Sequence, residues 1–318
     1  MGKLLTVSIA AYNVEKYIRE TLDSFITDSM DKIEVLIVDD GGKDSTAAIA
    51  EEYEKKYPDT FRLIRKENGG WGSTVNTGID NAHGKYFKLL DGDDYFDKNG
   101  LEKLVSSLAE VDADLIYTNY KTFIDGTQEY TDICFPEGIC KGKTVPIDQV
   151  DMKFPMRMHA CTFSTELLKK SKVRITEHTF YTDLEFITKG LVNTRTVCFL
   201  DISVYMYRLG MDSQSVSNEG YRRHREDHER VLKCLLHIYD KLDDNKPSAE
   251  AVKHIVKLMV GYHYKVCLIQ ENSRESAHRL KSYDSFIRKR YPDFASDRKR
   301  IKVFRLFGKG VFPIVRIR

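Results

Sequence analysis

Short apolar runs alternate with helical segments along the first 120 residues of this 318-residue chain. The runs are rich in Val, Ile, Leu and Phe, and the segments between them carry apolar residues at helical spacing. Parallel strands need a crossover connection, which is usually a helix. The pattern therefore predicts an α/β fold, a mostly parallel sheet with helices on both faces. The predicted strands are residues 4–10, 33–38, 61–64, 85–90 and 113–117.

Three of the predicted strands end in polar loops. Tyr12 and Asn13 follow the first strand, Asp39 and Asp40 follow the second, and residues 91–94 follow the fourth. The carboxyl ends of parallel strands meet at one edge of a sheet, where open α/β sheets bind ligands. We therefore expect a site for a nucleotide and a metal at this edge.

Residues 91–94 read Asp-Gly-Asp-Asp. Carboxylates this close repel one another, and a divalent cation with a preference for oxygen, Mg²⁺ or Mn²⁺, removes that repulsion. Gly92 leaves room for a phosphate or sugar to approach the backbone. An acidic surface turn that caps the following helix explains the same residues, because Asp-Gly is a common turn dipeptide.

Composition narrows the class of protein. With 42% hydrophobic and 31% charged residues the chain can form a buried core, in one large or two modest domains. A net charge of +2 gives no reason to expect nucleic acid as a partner. The six cysteines show no metal-binding spacing, and free thiols in a reducing cytosol explain them more simply than a Cys134–Cys140 disulfide. No apolar run is long enough to span a membrane, and no signal-peptide pattern is present, so we expect a cytoplasmic location.

Four motifs, in this order, together resemble the inverting glycosyltransferases of family 2, which have the GT-A fold. The resemblance is strong over residues 4–120 and weaker to residue 217. The motifs are Ser-Ile-Ala-Ala-Tyr-Asn at 8–13, Val-Asp-Asp-Gly-Gly-Lys-Asp-Ser-Thr at 38–46, Asn-Gly-Gly at 68–70 with Asn76 and Gly78, and Leu-Asp-Gly-Asp-Asp at 90–94.

The resemblance implies roles for the residues of the three loops. Tyr12 stacks on the nucleotide base, Asp40 binds it, Asp91 lies near the ribose, Asp93 binds the metal on the diphosphate, and Asp94 neighbours the donor sugar or the acceptor. The full set expected to bind the donor is Ala11, Tyr12, Asn13, Asp39, Asp40, Asn68, Gly70, Asp91, Gly92, Asp94 and Arg208, with Asp91 and Asp93 on Mn²⁺ or Mg²⁺.

Asp183 is the residue that the resemblance assigns as the catalytic base, with Glu185 as the second choice. A carboxylate at a helix N-terminus is also a routine cap. Arg208 belongs to a Tyr-x-Tyr-Arg strand that is similar to one in the family, and residues 210–217 to a loop that closes over the donor. Solvated loop charge is the alternative for Arg208.

The chain departs from the family pattern at several positions. Gly42 stands where Ser is usual, Thr182 where Glu is common, and Val75 where a basic residue is usual, so one phosphate contact is missing unless Arg65 or Lys66 replaces it. The single tryptophan, Trp71, fits a loop anchor on the sheet better than a stacking platform, and His159 fits a structural residue better than a ligand contact.

Residues 1–219 are predicted to form the catalytic domain, with a nucleotide-sugar half (1–120) and an acceptor half (121–219). Residues 220–318 are predicted to be helical. Their last 21 residues, after Asp297, hold no acid and mix basic with apolar side chains, which suits an anionic membrane surface. A solvated or partner-binding tail fits equally well.

The resemblance thus implies an inverting, metal-dependent hexosyl- or N-acetylhexosaminyltransferase. We expect a UDP-sugar donor and a saccharide acceptor, lipid-linked, in bacterial cell-surface polysaccharide synthesis at the inner face of the plasma membrane. A catalytically inactive nucleotide-sugar-binding or scaffolding protein of a glycosylation complex is the alternative, because of Val75 and Thr182. A nucleotidyltransferase is disfavoured, since residues 11–13 (Ala-Tyr-Asn) are not a glycine-rich basic loop.

Overall fold

The computed structural model describes residues 2–127, 129–210 and 217–317. In those residues, one mixed sheet contains all the strands, which are β1 (Leu5–Ala11), β2 (Ile33–Asp39), β3 (Phe61–Arg65), β4 (Tyr86–Asp91), β5 (Tyr95–Phe96), β6 (Leu115–Ile124), β7 (Tyr130–Ile133), β8 (Thr144–Pro146), β9 (Cys161–Ser164) and β10 (Thr196–Leu209). The helices are α1 (Ile18–Asp23), α2 (Thr46–Lys56), α3 (Trp71–Asn81), α4 (Lys98–Glu110), α5 (Thr165–Lys170), α6 (Asp183–Leu191), α7 (Asn218–Arg223), α8 (Arg225–Asp240), α9 (Ala249–Leu268), α10 (Arg274–Arg290), α11 (Lys299–Phe307) and α12 (Phe312–Val315).

The strands lie in the order β3-β2-β1-β4-β9-β6-β10-β5, with β7 beside β6 and β8 beside β10. β3, β2, β1 and β4 are mutually parallel, and β6 is parallel to β10. β9 runs antiparallel between β4 and β6. The predicted α/β fold is confirmed. The antiparallel strand pairs all involve strands that follow β4 in the chain.

β1 lies in the interior of the sheet, and both of its faces are buried, as parallel strands covered by helices require. Thr6 and Ser8, on one face, are 0% and 1% exposed. Leu5, Val7 and Ile9 are fully buried. Helix α3 packs closely on this strand at Gly78, where an added Cβ would lie 2.1 Å from Oγ of Ser8. Gly78 therefore sets the helix-to-strand distance that brings the N-terminus of α3 to the sheet edge.

Two segments differ from the sequence prediction. Helix α3 was expected to start at Thr74 but begins at Trp71, so the tryptophan lies in the first helical turn rather than in a loop. Residues 121–150 were expected to be irregular, yet they contain the end of β6 together with β7 and β8. Short strands that pair only through distant partners carry little local signal, which explains the second difference.

The C-terminal helices pack on the sheet-containing part through α9, which contacts both α6 and α8. The tail is broken after α11, where Gly308 has φ of +73°, and continues as a 3₁₀ turn and then α12. In the described ranges no helix is long and apolar enough to cross a bilayer. The six cysteines are unpaired, as expected. The proposed domain boundary at residue 219 stays a prediction.

Candidate active site

The ends of β1, β2 and β4 meet at one edge of the sheet. In the parallel register Ala11 lies beside Asp39, and Ala10 lies beside Asp91. Tyr12 follows directly and is 49% exposed, so its ring is free to face a ligand. Asn13 has φ of +52°, a conformation that Asn tolerates better than most residues, and its Oδ1 accepts a hydrogen bond from the Lys43 amide at 2.8 Å. The predicted convergence of loops is present.

Asp40 organises the glycine-rich loop that leads into α3. Its carboxylate accepts hydrogen bonds from the amides of Gly69 (3.0 Å) and Gly70 (2.8 Å) and pairs with Nζ of Lys66 at 2.9 Å. Its carbonyl accepts from Nδ2 of Asn68 at 3.0 Å. Lys66 therefore lies in the site, and residues 68–70 are held at the end of β2 by a single residue, Asp40.

Asp39 is 4% exposed, and burial raises its pKa. Its Oδ1 accepts from the Gly42 amide at 3.1 Å, and a Cβ on Gly42 would lie 2.9 Å from that same oxygen. This close approach is a physical reason for glycine at a position where the family usually has serine.

The turn at residues 91–94 is held in place by hydrogen bonds from strand β10. Both oxygens of the buried Asp94 accept hydrogen bonds, Oδ2 from the Tyr205 hydroxyl at 2.6 Å and Oδ1 from the Arg208 amide at 2.7 Å. A Cβ on Gly92 would lie 2.9 Å from the Ala10 carbonyl oxygen. Gly92 thus allows the turn to pack on β1, and direct donor contacts of Gly92 and Asp94 stay predictions.

Arg208 lies behind the same turn. Its Nε donates to the Asp93 carbonyl at 2.8 Å, and its two terminal nitrogens pair with Asp125 at 2.8 Å and with Glu20. The guanidinium is mostly buried, with 7% of the side chain exposed. In this arrangement Arg208 fixes the backbone of the acidic turn, and its predicted contact with the donor stays a prediction.

Asp91 lies near Asp183, the first residue of α6, and the space between these two carboxylates is called the cleft. Burial and the neighbouring charge of Asp93 raise the pKa of Asp91 to about 7, with a smaller contribution from Asp183. Nε1 of Trp71 donates a hydrogen bond to its Oδ1 at 2.7 Å, which favours the charged form. Trp71 was expected to be a loop anchor, and instead it links the first turn of α3 to the acidic turn.

The described residues contain one group of side chains close enough to share a cation: ligand atoms of Asp91, Asp94 and His159 lie within 4.8 Å of one another. His159 is stacked on Tyr120 at a ring distance of 5.1 Å and lies 4.3 Å from the Tyr207 ring. Its Nδ1 is buried and has no hydrogen-bond partner among the residues that the structure describes. Asp93, the predicted metal ligand, is outside this group, so the acidic turn offers two overlapping sets that share Asp91.

Lys88 supports His159 from the sheet. It is fully buried, and its Nζ donates to the His159 carbonyl at 2.7 Å. Burial lowers the pKa of Lys88 to about 7, and burial together with the Lys88 charge lowers the pKa of His159 to about 3. A lysine within the apolar run of β4 was the one sequence signal for this interaction, because lysine is almost never fully buried.

Asp183 begins α6 on the opposite wall of the cleft. Burial raises its pKa, while the positive charge of Arg157 opposes that rise. The segment before it is clamped by Asn76, whose Nδ2 donates to the Ile175 carbonyl at 2.9 Å and whose Oδ1 accepts from the Ile175 amide at 2.7 Å. Helix α3 therefore positions both the acidic turn, through Trp71, and the segment that carries Asp183.

Three further residues singled out in the sequence are buried. Oε1 of Glu185 accepts hydrogen bonds from the amide of Thr176 at 3.2 Å and from Nζ of Lys189 at 2.6 Å, and the role of Glu185 as a second choice of base stays a prediction. Val75 and Thr182 are 0% and 2% exposed. Neither of these two side chains is therefore exposed to solvent.

The C-terminal helices also reach the cleft. Tyr221 of α7 stacks on Tyr181 at a ring distance of 5.0 Å, and the Asp183 charge acts on its pKa. Tyr262 of α9 accepts a hydrogen bond from Arg157 at 3.4 Å. No motif marked these residues, because they lie outside the segments that resemble the family. The predicted closing loop falls largely on residues 211–216, which lie outside the described ranges.

The sequence and the fold of this chain are similar to those of known proteins. The family model described as Glycosyl transferase family 2 matches residues 6–165. The Bacillus subtilis (strain 168) protein EpsH, a glycosyltransferase by name, is 35% identical over 128 residues, which are 40% of this chain and 37% of EpsH. The chain thus spans little more than a third of that relative.

Two solved structures share the fold. Residues 1–349 of Staphylococcus aureus TarS, in complex with UDP-GlcNAc, align over 98% of this chain and 86% of theirs, with a TM-score of 0.67 and 21% identity. The mannosyltransferase PcManGT of Pyrobaculum calidifontis, in complex with GDP-Man and Mn²⁺, aligns over 99% and 86%, with a TM-score of 0.55 and 14% identity. At these identities the likeness concerns the fold alone.

Proposed function

This chain belongs to glycosyl transferase family 2, and from this premise we propose that it transfers a sugar from a nucleotide-sugar donor to a hydroxyl of a saccharide acceptor, with inversion. The observation that carries the proposal is the cleft between two acidic walls. Asp91 lies on one wall and Asp183 on the other, and the Asp183 charge adds to the rise in the Asp91 pKa. One wall would hold the diphosphate and the other would hold the attacking hydroxyl.

A UDP-sugar is the proposed donor. The exposed ring of Tyr12 is suited to stacking on a base, and the neighbouring Asp39 and Asn13 lie at the same sheet edge. TarS, which aligns along nearly the whole chain, binds UDP-GlcNAc. PcManGT binds GDP-Man, so GDP-sugars belong in the same test.

The acidic turn fits a divalent cation, Mn²⁺ or Mg²⁺. Burial raises the pKa of Asp91, Asp93 and Asp94, and mutual repulsion adds to this for Asp91 and Asp94. A cation relieves that repulsion. We propose that Asp91 and Asp93 hold it, because both oxygens of Asp94 already accept hydrogen bonds. When bound, such an ion stabilises negative charge on the leaving diphosphate.

Asp183 is the proposed catalytic base. Its carboxylate is partly buried near Arg157, and burial raises its pKa, which makes the ionised carboxylate a stronger base. It would take the proton of the acceptor hydroxyl as that oxygen attacks the anomeric carbon from the face opposite the diphosphate. Direct attack on that face gives inversion.

The tail is proposed to rest on an anionic membrane, where lipid-linked acceptors for cell-surface polysaccharide synthesis would be met, at the inner face of the plasma membrane. Phe304 and Phe312 hold the tail to the fold, being 3% and 1% exposed. Leu306, Phe307 and Ile314 point outward, with 79%, 69% and 78% exposed. Exposed apolar side chains among basic residues favour the surface of an anionic bilayer.

The direct test is a thermal-shift panel of UDP- and GDP-sugars with and without Mn²⁺, followed by transfer and donor-hydrolysis assays. Stabilisation by one donor, dependent on Mn²⁺, together with turnover, is the expected result. Asp183→Asn should abolish turnover and leave donor binding unchanged. Donor binding without hydrolysis or transfer by the native protein would favour the inactive binding protein instead.

A further inference from the structure

Arg157 lies in the cleft, and its guanidinium has no carboxylate within ion-pair distance in the described ranges. It precedes the 3₁₀ turn Met158–Ala160, and its backbone amide donates to the Tyr117 hydroxyl at 3.2 Å. Nη2 donates to the Tyr262 hydroxyl at a long 3.4 Å. Arg208, in contrast, is paired with two carboxylates. A guanidinium offers five donors in a planar fork, so most of those of Arg157 remain available to a ligand.

Tyrosines from three elements lie near this guanidinium. Tyr262 of α9 accepts its hydrogen bond, and the charge of Arg157 acts on the pKa of Tyr120 of β6 and of Tyr221 of α7. Tyr221 is stacked on Tyr181 with an angle of 19° between the rings. Phenol hydroxyls can donate to an oxyanion, and aromatic faces suit the apolar side of a sugar ring, so the walls match an acidic saccharide.

The position of Asp183 indicates which of the two substrates would lie near Arg157. Helix α6, which begins at Asp183, contacts the 3₁₀ turn Met158–Ala160 that directly follows Arg157. Asp183 is also the carboxylate whose charge acts on the pKa of Arg157, and the charges of both groups act on the pKa of Tyr221. A group bound at Arg157 would therefore belong to the molecule whose hydroxyl meets Asp183. Two of the walls come from the C-terminal helices, so this half of the pocket is built from outside the residues matched by the family model.

We propose that Arg157, with the hydroxyls of Tyr120 and Tyr262, binds a carboxylate or phosphate group of the acceptor, so that the acceptor is an acidic saccharide. The inference rests on the proposed function for its assignment to the acceptor. The guanidinium fork matches two oxygens of either group, and desolvation by the tyrosines strengthens the pairing. A neutral acceptor would bring no opposite charge to Arg157.

The test compares three probes in the presence of UDP and Mn²⁺: phenyl β-D-glucoside, phenyl β-D-glucuronide and phenyl β-D-glucoside 6-phosphate. Dissociation constants are measured by ligand-observed NMR on the full chain. We expect at least one charged probe to bind about tenfold more tightly than the neutral glucoside, as one charge-assisted hydrogen-bonded pair provides. The stronger of the two charged probes distinguishes carboxylate from phosphate.

Arg157→Met should remove the preference and leave the affinities for UDP and for the neutral glucoside unchanged. Arg157→Lys should retain part of it, and Tyr262→Phe should weaken it in a chain that keeps the arginine. Arg174→Met is the matched control, because that exposed arginine pairs with Asp80 outside the cleft. Each variant is first compared with the native protein by thermal unfolding.

Equal affinity of the native protein for all three probes would overturn the proposal. A parallel loss of UDP affinity in Arg157→Met would assign the arginine to the donor diphosphate. Unchanged probe preference with a shifted pH profile of turnover would assign it to positioning Asp183, and would also overturn the proposal. Charged-probe binding that persists while no nucleotide sugar is turned over would leave the anion site intact and contradict the proposed function.

Discussion

The indole Nε1 of Trp71 donates a hydrogen bond to Oδ1 of Asp91 at 2.7 Å. The bond joins the first turn of α3 to the acidic turn that follows β4. It orients a carboxylate whose pKa burial raises to about 7, and it favours the ionised form needed to hold a cation. The same helix clamps the segment before Asp183 through Asn76. Both walls of the cleft thus take their position from α3.

Trp71→Phe keeps an aromatic ring and removes the N–H donor. Because a hydrogen bond to a charged group contributes about 1.5–3 kcal/mol, we expect Mn²⁺-dependent donor affinity to fall by about tenfold or more. Isothermal titration calorimetry measures this. Tyr53→Phe, which removes the hydroxyl bound to Asp23 away from the cleft, is the control. Unchanged donor and metal affinities would show that the indole does not orient Asp91.

Asp93→Ala should affect metal-dependent donor binding, whereas Asp94→Ala should affect the stability of the fold. Asp93 is partly exposed, so its loss should weaken metal-dependent donor binding and leave the Tm nearly unchanged. Asp94 is 1% exposed and accepts hydrogen bonds from Tyr205 and Arg208, so its loss should lower stability by about 2 kcal/mol or more. Urea unfolding and Mn²⁺ titration separate the two effects. The opposite pattern would move the metal ligand from Asp93 to Asp94.

Asn76→Ala should lower kcat and leave donor affinity intact. The variant frees both backbone groups of Ile175, which lies in the segment that leads to Asp183. A displaced base reduces turnover, while the acidic turn keeps its own supports. Steady-state kinetics beside donor titration provides the measurement, and Asn81→Ala, at the far end of α3, is the control. Equal loss of kcat and donor affinity would indicate that the whole helix has shifted.

The pair His228 and His263 should make the protein acid-labile. The two rings are 2% and 4% exposed, with a distance of 3.1 Å between the Nδ1 atoms. Burial lowers the pKa of His228 from 6.5 to about 4 and that of His263 well below 6.5. Below pH 6.5 these two histidines become protonated in the unfolded chain, whereas in the native protein they remain neutral until the pH is lower. The free energy of unfolding should therefore fall between about pH 6.5 and 4, by about 3 kcal/mol for His228 alone.

Urea unfolding at about pH 7.5 and about pH 5 measures this difference. His228→Gln should reduce the pH dependence, whereas His237→Gln, at an exposed position on the same helix, should not. A native protein equally stable at both pH values would contradict the assignment.

Leu306→Ser with Phe307→Ser should weaken binding to vesicles. The two side chains are 69–79% exposed in a basic tail, so the native protein should sediment with vesicles of phosphatidylcholine and phosphatidylserine and be released by salt. Phe286→Ser changes a 46% exposed aromatic on α10 and should have no effect. Native protein that ignores anionic vesicles would favour a solvated or partner-binding tail.

Local sequence determined the β-strands and the edge at which they end. Apolar runs and their polar termini are short-range features, so the positions of Tyr12, Asp39 and Asp91 at one sheet edge followed from pattern alone. The C-terminal tail likewise breaks at Gly308, whose positive φ of +73° glycine adopts readily.

Tertiary structure decided which side chains meet across the cleft. Tyr205 and Asp94 are 111 residues apart, and Arg157 and Tyr262 are 105 residues apart. Periodicity indicates which face of an element is buried but not the partner that it meets, because that depends on packing between distant elements. Asp183, Arg157 and the tyrosines near them therefore come together only when the C-terminal helices pack on the sheet-containing part.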